Sequence, residues 1–214
     1  SLVAMMLALP VLVAPFRTLL GFRSDNHRSF LGWRRVPYLW FGTLLQFGGL
    51  AILPFALIVL SGDSTAPDAL AYVATALAFL MVGAGLHTTQ TAGLALACDL
   101  APAEKHHRVV AVLYVMLLIG MVASSLVFSV LLAPFSQIRL IQVIQGAAAV
   151  TMILNIAALW KQEARRPHMT TFDRPAQSFR ETWRKFSADR KATRPLLALG
   201  LGTAGFSMQD ILLE

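Results

Sequence analysis

Between Gly21 and Tyr38 the chain reads GFRSDNHRSFLGWRRVPY, an arginine-rich turn wedged between two long apolar segments. No other feature restricts the fold as much. The flanks are too long and too uniformly hydrophobic to be surface helices of a water-soluble protein. The turn carries too many charges to sit in hydrocarbon. The pair therefore reads as two membrane-spanning helices joined by a tight, positively charged loop.

The same alternation runs along the rest of the chain. A helix needs about 20 mostly apolar residues to cross a hydrocarbon core about 30 Å thick. Five runs meet that requirement, at about Leu2 to Leu20, Val36 to Leu60, Ala69 to Cys98, Val109 to Leu132 and Gln137 to Trp160, and a sixth begins at Pro195. The first is interrupted by Pro10 and Pro15, which membrane helices tolerate better than soluble ones. The second has Pro37 in its first turn, a favoured position. The third is longer than a straight span requires, so it predicts tilt or an extension beyond the lipid. The fold class expected is an all-α polytopic membrane protein.

Composition settles the class. The hydrophobic fraction is 57%, charged residues make up 14%, and the mean hydropathy is +0.65, against about 45–50% apolar in globular domains. A net charge of +7 raises nucleic acid as a partner, but the placement of the charges excludes it. If the spans alternate, 17 of the 18 Lys and Arg residues fall on one side: 5 in Arg17–Arg35, Lys105 with Arg108, and 10 in Lys161–Arg194. Only Arg139 falls on the other. The positive-inside rule then makes loops 21–35, 99–108 and 161–194 cytoplasmic, with the lipid bilayer as the partner the basic residues serve.

The single cysteine, Cys98, excludes an internal disulfide and carries no metal-ligand spacing. No charged segment precedes the first apolar run, so a cleaved leader is not expected. Ser1 opens inside an apolar run and Glu214 closes an unfinished one, so the chain is expected to be the middle of a longer polypeptide. Within the long polar segment, SFRETWRKFSADRK spaces Phe179, Trp183 and Phe186 onto one helical face with basic residues opposite. That is either an interfacial helix on anionic lipid or a solvated linker.

Two groups of residues are candidate sites. In the first loop, Gly21 is followed four residues later by Asp25, then by Arg28, Gly32, Arg34 and Arg35. A carboxylate among arginines can form a charge network that locks the loop against a neighbouring helix end. Asp99, at the end of the third run, is placed to join Arg28, Arg34 or Arg35 in that network. The plainer alternative is an aspartate marking the water boundary beside a turn.

The second group is intramembrane. His87 is the only ionisable side chain expected well inside the first five runs. It precedes Asp99 by 12 residues, or about 18 Å at 1.5 Å per residue, near the bilayer midplane. By the same arithmetic Gln90 lies about 13 Å from that end and Gln46 about 15 Å from Val36. Three polar groups at one depth predict a shared polar spot, and an ionisable group there is a functional-site hypothesis by default. A neutral imidazole can ligate the magnesium of a pigment. The alternative is a histidine bonded to Gln46 or Thr91, fastening helices together.

Gly42, Gly48 and Gly49 in the second run, with Gly83, Gly85 and Gly93 in the third, permit close helix contact or an apolar groove. His106 and His107 point apart on a helix, so no metal site is expected. Asp210 and Glu214, one turn apart, form either a proton-handling pair or ordinary polar residues near the outer face. No nucleophile–base pair or phosphate-cradling glycine loop is present, so an enzyme is not expected.

The spacing Gly-x-x-x-Asp, then Gly32 and paired arginines, resembles the signature loop of the major facilitator superfamily, between its second and third helices. Ser24-Asp25 through Ser29, Gly32, Arg34-Arg35 and Pro37 is similar to the branch that includes glycoside–cation symporters. The longer stretch GWRRVPYLWFGTLLQFGGLAILPFAL, with APFRTLLGFRSDNHRS, HTTQTAGLALACDLAP and GFSMQDILLE, resembles something narrower. This is the PucC/LhaA family, light-harvesting complex assembly proteins of purple phototrophic bacteria, and the likeness covers nearly all of the chain.

The resemblance implies a twelve-helix, major facilitator-like bundle of which the chain holds about helices 2–6 and the start of helix 7. Residues 1–160 would be the amino-terminal bundle lacking its first helix. Residues 161–194 would be a cytoplasmic inter-bundle loop, and 195–214 the first helix of the carboxy-terminal bundle. It also implies the bacterial inner (intracytoplasmic) membrane and bacteriochlorophyll as the cofactor, with carotenoid as a second candidate. The partners implied are light-harvesting antenna polypeptides and the reaction centre, with pigment-synthesis enzymes as further candidates. The function expected is delivery of bacteriochlorophyll to antenna polypeptides during assembly. The alternative is a secondary transporter of a small solute, against which stands the scarcity of intramembrane carboxylates. The superfamily likeness likewise implies the network of Asp25, Arg28, Arg34, Arg35 and Asp99.

Overall fold

The computed structural model describes residues 9–27, 32–60, 67–160, 162–163, 178–189, 191, 193–198 and 200–202. Arg28, Asp210 and Glu214, named above, lie outside them. A 3-10 stretch, Leu9–Phe16, runs into α1 (Arg17–Asp25). Then come α2 (Val36–Leu60), α3 (Asp68–Leu100), a 3-10 turn (Ala103–Lys105), α4 (His106–Leu132), α5 (Gln137–Leu159) and α6 (Phe179–Ala188). No strand occurs among the described residues. Two compact units result, Ser1–Phe172 and Asp173–Glu214; α6 belongs to the second and the other helices to the first.

Four helices, α2 to α5, are long and apolar enough to cross a membrane. The chain is an all-α, multi-span membrane protein. At 33 residues, α3 is about 50 Å long, well beyond the hydrocarbon thickness, so its ends reach past the lipid or the helix tilts. The first span departs from the single helix expected. Pro10 and Pro15 remove N–H donors and break the α ladder, leaving the tighter 3-10 form up to Phe16. The helix also outlasts the expected end at Leu20, because Ser24 and Asn26 satisfy its last carbonyls. Ser24 Oγ donates to the Gly21 carbonyl at 2.9 Å, and the Asn26 N–H and Nδ2 both donate to the Phe22 carbonyl. Asp25 therefore sits in a helical turn and not in a loop.

The core is the seam between antiparallel α2 and α3, built from small residues: Ala56 on α2 with Ala71, Thr75, Ala78 and Ala92 on α3, all buried. Without a hydrophobic drive inside lipid, helices associate through close van der Waals packing, which favours small side chains. A Cβ on Gly85 would lie 2.5 Å from the Gly42 carbonyl oxygen and 2.6 Å from the Gln46 nitrogen, so only glycine lets the backbones approach this far. Leu39, Ala92 and Leu96 extend the core, with Tyr38 of α2 and Leu159 of α5 packed against them.

By contrast, α4 has no buried residue. Its side chains from Val112 to Val130 are exposed apolar groups almost without interruption, a surface suited to lipid or to another apolar helix and not to water. At the turn into α5, Ser136 caps the helix by accepting from the Arg139 N–H at 3.1 Å. Arg139 Nε reaches back to the Leu131 carbonyl at 2.7 Å, a cation at the carboxy end of α4.

Candidate functional site

The turn between α1 and α2 bends at Gly32, whose φ of 75° suits a residue without a side chain. It delivers Arg34 and Arg35 beneath the end of α3. Arg35 is buried, its side chain only 5% exposed, and a buried guanidinium must be paired. It is ion-paired with Asp25. Its Nε meets Asp99 Oδ2 at 3.1 Å, and Nη1 donates to Ser24 Oγ at 2.7 Å. Arg34 Nη2 also reaches Asp99 Oδ2, at 2.5 Å. The structure thus joins Asp25, Arg34, Arg35 and Asp99 in one cluster linking the ends of α1, α2 and α3. Beside it, His27 stands edge-on to Tyr38, with ring centroids 5.3 Å apart. Burial lowers the pKa of its imidazole and outweighs the nearby Glu163 charge.

Glu163 is the member that local pattern does not single out. Its carboxylate accepts from the backbone N–H groups of Arg34 (2.8 Å), Arg35 (3.0 and 3.2 Å) and Val36 (2.9 Å). Free N–H groups and the positive pole of the dipole make a helix start an anion site. Here the anion comes from the segment just after α5. Arg34 and Arg35, the end of α3 and Glu163 at the start of the long polar segment therefore meet at one end of the bundle, on one side as the charge count predicts. Local reading fails because partner and helix start are 127 to 129 residues apart.

The intramembrane trio is not joined by hydrogen bonds. His87 Nε2 lies 3.1 Å from the Pro10 carbonyl oxygen. A carbonyl only accepts, so Nε2 carries the proton and Nδ1 is left with a bare lone pair. That Nδ1 is buried without a partner. Gln46 Nε2 donates to Thr89 Oγ1 at 2.8 Å, and Gln90 faces a separate groove. The donor chemistry of His87 fits a magnesium-bearing pigment. The space does not, because the lone pair is enclosed and His87 lines neither of the two clefts described next.

Those clefts meet at Thr89, Gly93 and Leu113. One, of about 360 Å³, lies between α1, α3 and α4 and includes Arg17, Gln90, Tyr114 and Leu117. The other, about 330 Å³, runs toward α2 and α5 past Leu39, Leu96 and Leu159. Arg17 is a further ionisable group set back from the charged end, bonded to the same helix, α3, that carries His87. It opens α1 eight residues before Asp25, about 12 Å inward from the charged end. Its Nε donates to Thr91 Oγ1 at 3.2 Å, so the head turns toward α3 instead of reaching for water. Counting Arg17 with the loop, from sequence, had hidden it. Among the described residues no group of His, Cys, Asp and Glu gathers to hold a metal.

The profile of the PUCC protein family matches residues 1–214. A Protein PucC from Rhodovulum sulfidophilum is 54% identical over 220 residues, covering 100% of this chain and 48% of that protein. An uncharacterized protein in the puhA-bchM intergenic region of Rhodobacter capsulatus is 58% identical over 215 residues, covering 99% and 45%. A Protein PucC from Rhodobacter capsulatus is 53% identical over 221 residues, covering 100% and 48%. The chain thus spans about half the length of the curated relatives it matches. No solved structure matches it. A profile match over all 214 residues, on a chain with four helices long and apolar enough to cross a membrane, places the chain in the PUCC protein family.

Proposed function

We propose that the chain carries the amino-terminal helices of an assembly factor for photosynthetic light-harvesting and reaction-centre complexes, one that presents bacteriochlorophyll to antenna polypeptides. The observation that carries this reading is the family match along the entire chain. Two features of the bundle support it. The clefts meeting at Thr89 and Gly93 are lined mainly by apolar groups, which suits a hydrophobic cargo better than a hydrated solute. The long unburied face of α4 is a surface on which a single-span antenna helix can lie as readily as lipid. Pigment is held against apolar walls in this reading, with His87 fastening Pro10 to α3. No catalytic constellation is invoked, and a carotenoid fits the same walls.

The superfamily arrangement belongs to the same proposal. The twelve-helix carrier fold, the inner-membrane location and the cytoplasmic side for the Arg35 cluster follow from the loop signature and the placement of basic residues. One observation favours the second reading, a small-solute transporter. The cluster of Asp25, Arg34, Arg35 and Asp99 ties three helix ends as a latch in a rocking carrier would. The full-length protein purified in mild detergent separates the two. Bound bacteriochlorophyll in the absorption spectrum with co-purifying antenna subunits is the expected result. A colourless, solitary protein that drives solute-dependent uptake in vesicles would favour transport.

A further inference from the structure

We infer that the groove between α1, α3 and α4 is a binding site for the anionic head of a membrane amphiphile, with Arg17 as its anion contact. The lipid source considered below stands apart from the pigment-handling role, and the chlorin source rests on it. Arg17 has no carboxylate partner among the described residues; its one hydrogen bond goes from Nε to Thr91 Oγ1. That bond fixes the orientation of the guanidinium and leaves its two terminal nitrogens for a second acceptor, the fork that suits carboxylate or phosphate oxygens.

The surroundings fit the rest of such a ligand. Gln90 and Tyr114 add hydrogen-bonding groups to the same groove, while Leu94, Leu113 and Leu117 supply an apolar wall. Leu113 and Leu117 lie on the unburied α4, with 39% and 43% of their surface exposed, so the groove opens along the apolar face of that helix. A volume of about 360 Å³ is at the small end of ligand sites. It accommodates a head group and the first part of an apolar body, the remainder lying along α4. A fully water-soluble anion would gain nothing from the apolar wall. A neutral lipid would leave the part-buried cation without a counter-charge. One anionic group on a long apolar body meets both conditions, and two sources supply it: the phosphate of an acidic phospholipid, or the free propionate of a chlorin acid.

Full-length protein in nanodiscs of equal phosphatidylglycerol and phosphatidylcholine, released and weighed by native mass spectrometry, tests the first source. Absorption titration with pheophorbide and with its methyl ester tests the second. For at least one pair the anionic member should be retained about tenfold over its neutral counterpart. That preference should collapse in Arg17→Gln and persist in part in Arg17→Lys, which keeps the charge but loses the fork. Leu117→Trp keeps the arginine and fills the groove from the lipid side, so it should also abolish retention, even if Arg17→Gln does not fold. The pair that discriminates identifies the source. A preference under about twofold in both pairs, or one that survives both Arg17→Gln and Leu117→Trp, would overturn the site.

Discussion

Glu163 and Arg35 do opposite electrical work a few ångströms apart. Arg35 brings a buried cation that requires acceptors, and Ser24, Asp25 and Asp99 provide them. Glu163 brings an anion that requires donors, and the free N–H groups at the start of α2 provide those. Glu163→Gln keeps the shape but removes the charge, and should cost about 1–2 kcal/mol, the scale of a charge-assisted cap. Arg35→Ala leaves Asp99 with Arg34 alone and opens a buried void, and should cost more, about 3 kcal/mol. Thermal denaturation of the detergent-solubilised full-length protein checks the order. Equal losses for the two variants would mean that the cluster stabilises nothing beyond ordinary packing.

Among the elements, the α2–α3 seam tolerates least. Gly85→Ala places a methyl group 2.5 Å from the backbone oxygen of Gly42, where no flexible side chain can yield. The helices must part, at a cost of about 1–3 kcal/mol or more. Gly120→Ala, on α4 with nothing within 4 Å, should be neutral or stabilising by a few tenths of a kcal/mol through helix propensity. Comparing the two melting curves tests whether close approach, and not helix propensity, explains the glycines. The α6 helix is of another kind. Phe179 and Trp183 stack with centroids 6.1 Å apart, and Phe186 follows at 5.9 Å from Trp183. This forms an aromatic face, with Arg180 and Arg184 away from it. Such a helix suits an anionic lipid surface. With every other tryptophan of the protein, Trp33, Trp40 and Trp160 among them, replaced by phenylalanine, Trp183 fluorescence should be quenched by lipids brominated near the headgroup, and more strongly in anionic bilayers.

At the level of the whole molecule, what sequence reveals depends on how local its cause is. Spans at Val36–Leu60 and Gln137–Leu159 match the expected limits almost to the residue, because an apolar run of bilayer length is its own signal. The start of α4 at His106 precedes the expected Val109, since a helix continues through the charged interface where hydropathy no longer marks it. Asp25, Arg34, Arg35 and Asp99 were legible as a group because like-sided loops must share one surface. Arg17 and Glu163 were not. Each acquires its role from a partner 74 or more residues away, and neither leaves a trace in its own neighbourhood. The depth argument for His87, Gln90 and Gln46 placed them at one level but said nothing of direction around the helix axis. Direction decides the partners: Pro10 for His87 and Thr89 for Gln46.

Glu163 follows the last residue of α5, Leu159, by only four positions, so the carboxylate stays close to the end of that helix. A tug on whatever follows, or a small axial slide of α5, must either lift the carboxylate off the first turn of α2 or drag that turn along. The connection works as a short tether between the end of α5 and the first turn of α2.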